Sequence, residues 1–489
     1  MTMTYSWKTP VFPLKKLITA SLLVSTMAIT GCDFNDEDTE ILVVPTPTTA
    51  QEVTFASFNV SFAVDGDTTE NFERWVGFME LSKARQDELV TYWHSQQGND
   101  AAKDEADYKL AERVIQIRNI AAIIQKNRPD VLLLNEFNND GEAKSMAAIV
   151  GFQKNYLSHP QSMNSVDGGD LLEPIEYPFT ANYPTNTGLV PNLPDSDLAN
   201  DGINTSSASD AYGFGFYHGH YAFALFSRFP IDTANTRTFQ TYKWKDLPGA
   251  QNPTIMADAA ADDIPTDMQV GDYWYSEAEW NDMRLSSKNH VDAPVLIPTT
   301  DGYVKIHALL SHPTPPISDK AAKHNTMRNG AENQFWARYL DGHELTDDKG
   351  KLSAFAGTHF MVMGDLNADA LRSPADTNGF TQLTEHPLIN QDVSQVGREF
   401  TPVSAGGTEE NNDKGHPYPE TRTSTFGSRA DYALPSSSLT VTGTGVYWVE
   451  EGAPGRLLFN DSRIGTRGAD KEVSSDHRYV WTTVKLNTK

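Results

Sequence analysis

Seven short segments rich in apolar and β-branched residues are spread along the chain, and each has the composition of a β-strand. They are EVTFASFNV (52–60), VLLLNEF (131–137), HYAFALFSRFPI (220–231), VKIHALLSHPTPP (304–316), HFMVMGDLN (359–367), RADYALPSS (429–437) and RYVWTTVKL (478–486). Between the first two, residues 111–130 carry apolar side chains at helical spacing, and Pro129 ends the pattern. A strand, a helix and a strand at this spacing predict an α/β fold in which helices cover a sheet.

The segments between the predicted strands are long and polar. Residues 70–97 predict a helical insertion and residues 331–340 a short helix, whereas 160–212 and 370–421 predict long loops. No internal repeat or linker divides the rest of the chain. We therefore expect one catalytic domain over 52–489.

The N-terminal residues have the pattern of an export signal. Lys15 and Lys16 precede a short apolar run, 17–29, and then TGC ending in Cys32. This sequence resembles a bacterial lipobox, so residues 1–31 are predicted to be a lipoprotein signal peptide with Cys32 as the lipidated N-terminus. An ordinary signal peptide with an incidental cysteine is the alternative. Residues 32–51, acidic and then rich in Pro and Thr, predict a tether. We expect an exported lipoprotein anchored to a membrane, on the periplasmic or cell-surface side.

The charge of the chain restricts its partners. The formal net charge is −26 over 489 residues, which repels polyanions and argues against a non-specific nucleic-acid coat protein. It does not exclude an enzyme that approaches a phosphate through divalent cations, because the metal reverses the local sign.

The segment GDLNAD places Asp365 and Asn367 two residues apart. If the strand continues through both, their side chains share one face of the sheet. The alternative is a strand that runs into an Asp/Asn turn.

Polar residues that could carry chemistry end several of the predicted strands. They are Asn59, Glu136, His312, Asp365, Asn367, Asp431, Asp476 and His477. Oxygen ligands with two or three carboxylates suit Mg²⁺, or alternatively Mn²⁺ or Ca²⁺. The chain has no HExxH helix and no GxSxG elbow, which argues against a zinc peptidase and a serine hydrolase.

Taken in order, NEF, GDLN, DYALPS and SDH resemble the motifs of the endonuclease/exonuclease/phosphatase superfamily. Its members include deoxyribonucleases, abasic-site endonucleases, sphingomyelinases and inositol phosphatases, and the resemblance covers nearly all of 52–486. It implies a four-layer α/β sandwich of two packed, mostly antiparallel sheets flanked by helices. The implied chemistry is metal-dependent hydrolysis of a phosphoester.

The resemblance also implies roles for individual residues. Glu136 corresponds to the principal metal ligand, with Asn59 beside it and Asp476 as a ligand or its neighbour. Asp365 corresponds to the acid that orients or deprotonates water, and Asn367 to the residue that holds the phosphate, which implies that the two side chains share one face of the sheet. His477 corresponds to the histidine on the scissile phosphate, polarised by Asp431. His312 falls where the family places a His or Tyr near the leaving group.

One position departs from the family pattern. Abasic-site nucleases carry an acid two residues after the first-strand Asn, where this chain has Ser61. This argues against that branch and leaves the ligand set of a first metal open. Asp476 and His477 are adjacent and cannot both face the site from a regular strand, so we expect a turn there.

Two further features are candidates for substrate binding. Arg328 and Asn329 precede the predicted helix 331–340 and could contact a phosphate, although an arginine at a helix start is also common on surfaces. The aromatic run 212–223 is interpreted as strand packing, with stacking on a base as the alternative.

Three function classes remain open at this point. The first is a phosphoesterase acting on nucleic acid, a nucleotide or another small phosphoester. The second is a sphingomyelinase-like lipid phosphodiesterase, and the third is a non-catalytic binding module on the same fold. Nothing in the sequence implies a protein partner.

Overall fold

The computed structural model describes residues 52–62, 71–203, 208–300, 302–372, 378–409, 415–465 and 473–486. The predicted signal peptide, the lipidation site Cys32 and the tether lie outside these residues. All described residues fall within one compact unit. The prediction of a single catalytic domain over 52–489 stays a prediction.

The described strands form two large sheets and one small one. In chain order they are β1 (Glu52–Asn59), β2 (Val131–Asn135), β3 (Phe179–Asn182), β4 (Phe223–Ser227), β5 (Arg237–Thr238), β6 (His290–Thr299), β7 (Gly302–Ser311), β8 (Leu345–Thr346), β9 (Leu352–Ser353), β10 (Phe360–Asp365), β11 (Asp431–Pro435), β12 (Thr440–Tyr447) and β13 (Tyr479–Lys485). The first sheet has the order β12-β13-β1-β2-β4-β3 and the second β11-β10-β7-β6-β5, while β8 and β9 form a separate pair.

Antiparallel pairing dominates both large sheets. Each contains one parallel pair, β1 with β2 in the first sheet and β7 with β10 in the second. The two sheets pack face to face, because side chains of both belong to one buried cluster. The predicted fold class, two packed, mostly antiparallel sheets flanked by helices, is confirmed.

Strand β1 is apolar on both faces because successive side chains alternate between two buried layers. Val53 and Phe55 point toward the second sheet, whereas Ala56 and Phe58 point toward the helices that cover the first. Asn59 follows the spacing of Val53 and Phe55, so its side chain also faces the second sheet. The burial pattern therefore brings a polar residue to the interface between the sheets at the end of β1.

The helices cover the outer faces of the sheets. They are α1 (Phe72–Met79), α2 (Lys83–Ser95), α3 (Ala106–Asn127), α4 (Ala147–Phe152), α5 (Glu277–Asp282), α6 (His324–Leu340), α7 (Asn378–Thr384) and α8 (Gln391–Ser394). The helical insertion predicted over 70–97 is observed as α1 and α2. The helix predicted over 111–130 begins earlier, at Ala106, and ends just before Pro129 with Arg128 in a left-handed conformation.

Six of the described strands were not predicted from the sequence, namely β3, β5, β6, β8, β9 and β12. Strand β3 lies within the loop predicted over 160–212, and helices α7 and α8 lie within the loop predicted over 370–421, so neither segment is a loop throughout. Strand β6 contains Pro294, Pro298 and the buried Asp292, which together break the apolar pattern. Asp292 is accommodated because it accepts hydrogen bonds from Tyr339 Oη at 2.7 Å and pairs with His307 Nδ1 at 2.6 Å. Strand β12 is an edge strand whose Gly445 lies under the ring of Trp481, so a Cβ there would come within 2.9 Å of the indole.

Within the described segments, every helix is too short or too polar to cross a bilayer.

Candidate active site

The polar residues predicted from the sequence meet where the two parallel strand pairs end. Asn59 is the last residue of β1 and Glu136 follows β2, while His312 follows β7 and Asp365 ends β10. Because parallel neighbours finish at the same edge of a sheet, and the two sheets face each other, these ends converge on one cleft. The cleft has a volume of about 1520 Å³ and is lined by Glu136, His312 and Asp476 among others.

Three non-glycine residues at these strand ends adopt a left-handed backbone. Their φ angles are 47° at Ser61, 57° at Glu136 and 49° at Asn367. A left-handed residue costs roughly 1–2 kcal/mol, and such strain is commonly retained where a side chain must be aimed at a ligand. At Glu136 the conformation directly follows β2 and changes the direction of the chain at the cleft.

Gly364 places Asp365 beside the end of β7. A Cβ at this glycine would lie 2.0 Å from the carbonyl oxygen of Ser311. The missing side chain lets β10 approach β7 closely, and it brings Asp365 Oδ2 within 3.4 Å of His312 Nε2. The glycine of the GDLN motif is therefore a packing requirement of the site.

Replacing Gly364 by alanine is expected to destabilise the fold by about 1–3 kcal/mol, because β10 must move away from β7. Urea denaturation measures this change. Gly77→Ala in α1 is the matched control, since no heavy atom outside the adjacent residues and the backbone of α1 lies within 4 Å of its Cβ position. A glycine-to-alanine change in a helix stabilises by up to about 1 kcal/mol. Equal unfolding free energies for the two variants would contradict the close approach.

Asn59 hydrogen-bonds to one residue from each of the two large sheets. Its Nδ2 donates to Glu136 Oε1 at 2.9 Å and to Asp365 Oδ2 at 3.0 Å, and its Oδ1 accepts from the backbone N–H of Ser61 at 3.0 Å. The side chain is fully buried. Asn59 thus fixes the separation of two carboxylates, one from each sheet.

His477 and Asp431 form a hydrogen-bonded pair next to Asp365. His477 Nδ1 lies 2.8 Å from Asp431 Oδ2, which also accepts from Thr423 Oγ1 at 2.7 Å. On its other side, His477 Nε2 lies 3.7 Å from Asp365 Oδ2. Asp431 therefore orients the imidazole so that Nε2 faces the site.

The surroundings of His477 favour its protonated form. Burial alone would lower the pKa of His477, but the carboxylates of Asp431, Asp365 and Asp476 raise this pKa well above its ordinary value. Residues 473–478 precede β13 as irregular chain, so the break expected at Asp476 and His477 is observed. The backbone N–H of His477 donates to Ser475 Oγ at 3.0 Å, which stabilises the bend.

Asp365 lies between two histidines. Burial would raise its pKa, but His477, His312 and the Asn59 hydrogen bond outweigh this and hold the pKa of Asp365 below its usual range. Burial and the nearby Lys288 lower the pKa of His312 to about 4. At neutral pH the site therefore combines an ionised Asp365, a neutral His312 and a protonated His477.

Glu136 and Asp476 are two carboxylates in the same part of the cleft. Desolvation by the surrounding protein and the charge of Asp476 raise the pKa of Glu136 to about 7. Ser61, where abasic-site nucleases carry an acid, donates its hydroxyl to Asp476 and lies 2.8 Å from Ser475 Oγ. The serine thus holds Asp476 in place instead of adding a third carboxylate.

The structure contains two groupings that could hold a cation. Ligand atoms of Asp365, Asp431 and His477 lie within 4.8 Å of one another, and this buried group could hold a metal ion. Since His477 and Asp431 already hydrogen-bond to each other, a metal there would have to break their bond. Glu136 and Asp476 have no such internal pairing, and their mutual repulsion is what a divalent cation relieves.

The shared-face interpretation of Asp365 and Asn367 is wrong. Strand β10 ends at Asp365, and Asn367 is left-handed and lies in a turn. The backbone N–H of Asn367 donates to Asp365 Oδ1 at 3.0 Å, and its Nδ2 donates to Pro313 O at 3.2 Å. The local Asp/Asn turn, the alternative considered from the sequence, replaces the strand because it satisfies this carboxylate oxygen.

The predicted position of Arg328 and Asn329 before a helix is also wrong. Helix α6 begins at His324, so both residues lie inside it. Asn329 Nδ2 donates to Thr314 O at 2.8 Å and to Leu366 O at 3.1 Å, which ties α6 to the loops after β7 and β10. Arg328 Nε donates to Leu285 O at 2.9 Å, and the side chain lines the cleft. Contact of either residue with a substrate stays a prediction.

Lys288 was not singled out from the sequence. It is buried, lines the cleft, and interacts electrostatically with Glu332, Glu136 and Asp365. Burial lowers the pKa of its ammonium group, against the opposing effect of these acids. Within SSKNH no pattern distinguishes this lysine from a surface lysine, and only its position in the fold shows that it faces the site.

One comparison with known proteins shows the family. Residues 56–477 match the model of the Endonuclease/Exonuclease/phosphatase family. A search of curated proteins found no match.

Three solved structures illustrate the similarity. An endonuclease/exonuclease/phosphatase family protein from Bacteroides thetaiotaomicron is 10% identical over 90% of this chain and 97% of that chain, with a TM-score of 0.40. A mannosyl-6-phosphatase from Bacteroides thetaiotaomicron is 12% identical over 89% and 100%, with a TM-score of 0.36. Sphingomyelinase C from Streptomyces griseocarneus is 14% identical over 89% and 99%, with a TM-score of 0.35. Structural similarity at these TM-scores does not indicate which substrate this chain acts on.

Proposed function

The chain belongs to the endonuclease/exonuclease/phosphatase family, whose members hydrolyse phosphoesters, and from this premise we propose that it is a divalent-metal-dependent phosphoester hydrolase acting outside the cytoplasm. One observation carries the proposal. The hydrogen-bonded pair of His477 and Asp431 faces Asp365, with His477 Nε2 3.7 Å from Asp365 Oδ2, next to His312, which lines a large cleft. An acid that stays ionised and an imidazole that stays protonated are then side by side, which suits activation of water next to stabilisation of a phosphoryl oxygen.

Glu136 and Asp476 are the residues that we propose would hold the cation. Their donor set is oxygen alone, which suits Mg²⁺, and also Mn²⁺ or Ca²⁺. The raised pKa of Glu136 supports the fit, since burial and the charge of Asp476 disfavour its ionised form and a bound cation would favour that form. Asn59 orients Glu136 through its amide nitrogen. A bound divalent cation would neutralise charge on the phosphoryl group and so act as a Lewis acid.

The remaining roles follow from the protonation states of the side chains. Asp365 accepts a hydrogen bond from the attacking water and aligns it with phosphorus. His477 donates Nε2–H to a phosphoryl oxygen as negative charge builds up there, while Asp431 keeps the imidazole oriented. His312, neutral and adjacent to Asp365, lies on the side of the leaving group. Arg328 and Lys288 add positive charge to the cleft wall, where they favour an anionic substrate.

A panel of substrates tests the reaction class. The purified protein should release product from bis-p-nitrophenyl phosphate or p-nitrophenyl phosphate in the presence of Mg²⁺ or Mn²⁺, and EDTA should abolish the release. Plasmid DNA, RNA and sphingomyelin in the same panel separate nuclease and lipid phosphodiesterase activity from action on small esters. Turnover that persists in EDTA would contradict metal dependence, and no turnover of any ester would favour a binding module.

Export and anchoring are proposed from the sequence before residue 33. The basic residues, the apolar run and Cys32 support a lipoprotein whose catalytic domain is held at a membrane by the tether 32–51. Mass spectrometry of the mature N-terminus should find a lipid-modified Cys32. An unmodified N-terminus at another residue would reject lipidation.

A further inference from the structure

An exposed aromatic residue lines the same cleft as the proposed catalytic residues. Phe214 is 51% exposed, although large apolar side chains are usually buried. It belongs to the aromatic run that the sequence analysis interpreted as strand packing. That interpretation is wrong for residues 212–222, because the run forms turns and only Phe223 enters β4.

Glycines hold this aromatic loop (residues 212–221) tightly against its neighbours. A Cβ at Gly213 would lie 2.0 Å from Ser287 O, and a Cβ at Gly219 would lie 2.0 Å from Asn139 O. Backbone hydrogen bonds join Gly213 N to Asn186 O at 3.1 Å and Gly219 N to Thr187 O at 3.2 Å. The loop is therefore fixed to the residue that precedes Lys288, and Phe214 is presented from a rigid backbone.

The rings around Phe214 support it from one side. Its centroid lies 5.4 Å from that of Phe216 in an edge-on arrangement and 6.3 Å from that of Tyr221. Tyr221 has φ of 57°, which is rare for a bulky residue. All three rings line the cleft. A strained, aromatic, glycine-locked loop that leaves a phenyl ring exposed has the properties of a binding surface.

A second exposed apolar residue lines the cleft from another loop. Ile317 is 65% exposed and lies five residues after His312, in the loop that follows β7. Among the described residues, Phe214 and Ile317 are the large exposed apolar side chains that line this cleft. The cleft is also larger than the roughly 300–1,000 Å³ of an ordinary small-molecule pocket. It has room for more than a phosphoryl group.

We propose that Phe214 forms a stacking subsite for a planar aromatic ring carried by the phosphoester, so that the substrate is a small ester with a nucleobase-like group. This inference rests on the proposed function, because it places the phosphate at Asp365 and His477. A lipid chain would suit a continuous apolar channel, whereas Ser209, Ser287, Thr314 and Asn325 also line this cleft and can hydrogen-bond a base or a sugar. The net charge of −26 disfavours a long polyanion over a small ester.

The test compares two ligands that differ only in the base. Isothermal titration in the presence of Mg²⁺ measures binding of AMP and of ribose 5-phosphate to the wild-type protein and to three variants. Stacking on an aromatic side chain is worth about 1–3 kcal/mol per base, so AMP should bind the wild type at least about fivefold more tightly than ribose 5-phosphate. Phe214→Ala should reduce this preference to less than about twofold, and Phe214→Trp should retain it because indole also stacks.

Tyr303→Ala is the matched control. Tyr303 is 63% exposed and lies at the start of β7, at the opposite end of the strand from Ser311 and His312. The preference for AMP should survive in this variant. Equal or absent binding of the two ligands by the wild type, a preference that persists in Phe214→Ala, or its loss in Tyr303→Ala would overturn the subsite. Hydrolysis of bis-p-nitrophenyl phosphate is measured separately, so failure of the proposed function and failure of the subsite are distinguished.

Discussion

Replacing His477 by alanine is expected to lower kcat for phosphoester hydrolysis by about 10²–10⁴-fold, the scale of general-acid and electrostatic catalysis. The reason is the charge of the imidazole. Although burial lowers the pKa of His477, the carboxylates of Asp431, Asp365 and Asp476 raise it well above its ordinary value, so that in the proposed mechanism the wild type presents a proton toward the phosphoryl oxygen at neutral pH. The variant presents none. Steady-state kinetics on bis-p-nitrophenyl phosphate, with Mg²⁺ held constant, measures the loss.

Asp431→Ala should cause a loss of the same order, because Asp431 acts through His477. Its Oδ2 accepts from His477 Nδ1 at 2.8 Å. The double variant should then be little slower than the slower single variant, since residues that act as one unit are not additive. His359→Ala is the control, because His359 lies at the far end of β10 and pairs with Ser438 Oγ. Losses that multiply in the double variant would contradict a coupled pair.

Asp365→Asn and Glu136→Gln are both expected to lose hydrolytic activity, but for different reasons. Glu136→Gln keeps the shape of the side chain but removes charge from the proposed cation site, so higher Mg²⁺ or Mn²⁺ concentrations should restore part of its activity. Asp365→Asn keeps the proposed cation site nearly intact but removes the carboxylate that we propose aligns the attacking water. Its loss, on the order of 10²–10⁴-fold in kcat, should persist at any metal concentration.

Metal titrations of both variants measure this contrast. The concentration of Mg²⁺ that gives half-maximal rate should rise for Glu136→Gln and stay near the wild-type value for Asp365→Asn. Equal rescue of the two variants would show that the roles of these carboxylates are assigned wrongly. Wild-type rates in either variant would also show that the role of that carboxylate is assigned wrongly.

Much of the architecture was predictable because burial leaves a periodic pattern. Strands β1, β2 and β10 and the second half of β7 are mostly apolar and buried. The polar residues that end or directly follow these strands lie close together because parallel neighbours end at the same edge of a sheet. The proximity of Asn59, Glu136, His312 and Asp365 follows from that rule. Whether each performs its predicted role is a question for the variants above.

Other features could not be predicted, since they depend on contacts distant in the chain. The turn at Asn367 forms because Asp365 Oδ1 accepts its N–H, which the strand pattern does not reveal. Lys288 lies in the loop two residues before β6, and only the packing of that loop in the folded chain brings the lysine to the cleft. In the run 212–223, a glycine recurs between aromatic residues, and this spacing favoured turns over a strand. That signal was present in the sequence and was outweighed by the aromatic content.

The origin of the oxygen added during hydrolysis tests the central claim most directly. The claim is that Asp365 and His477 act on water attacking phosphorus, so the reaction is run with bis-p-nitrophenyl phosphate and Mg²⁺ in water enriched in ¹⁸O. Mass spectrometry of both products should find solvent oxygen in the phosphate-containing product and none in the p-nitrophenol. Label in the p-nitrophenol, or no turnover by the metal-loaded wild-type protein, would contradict the account.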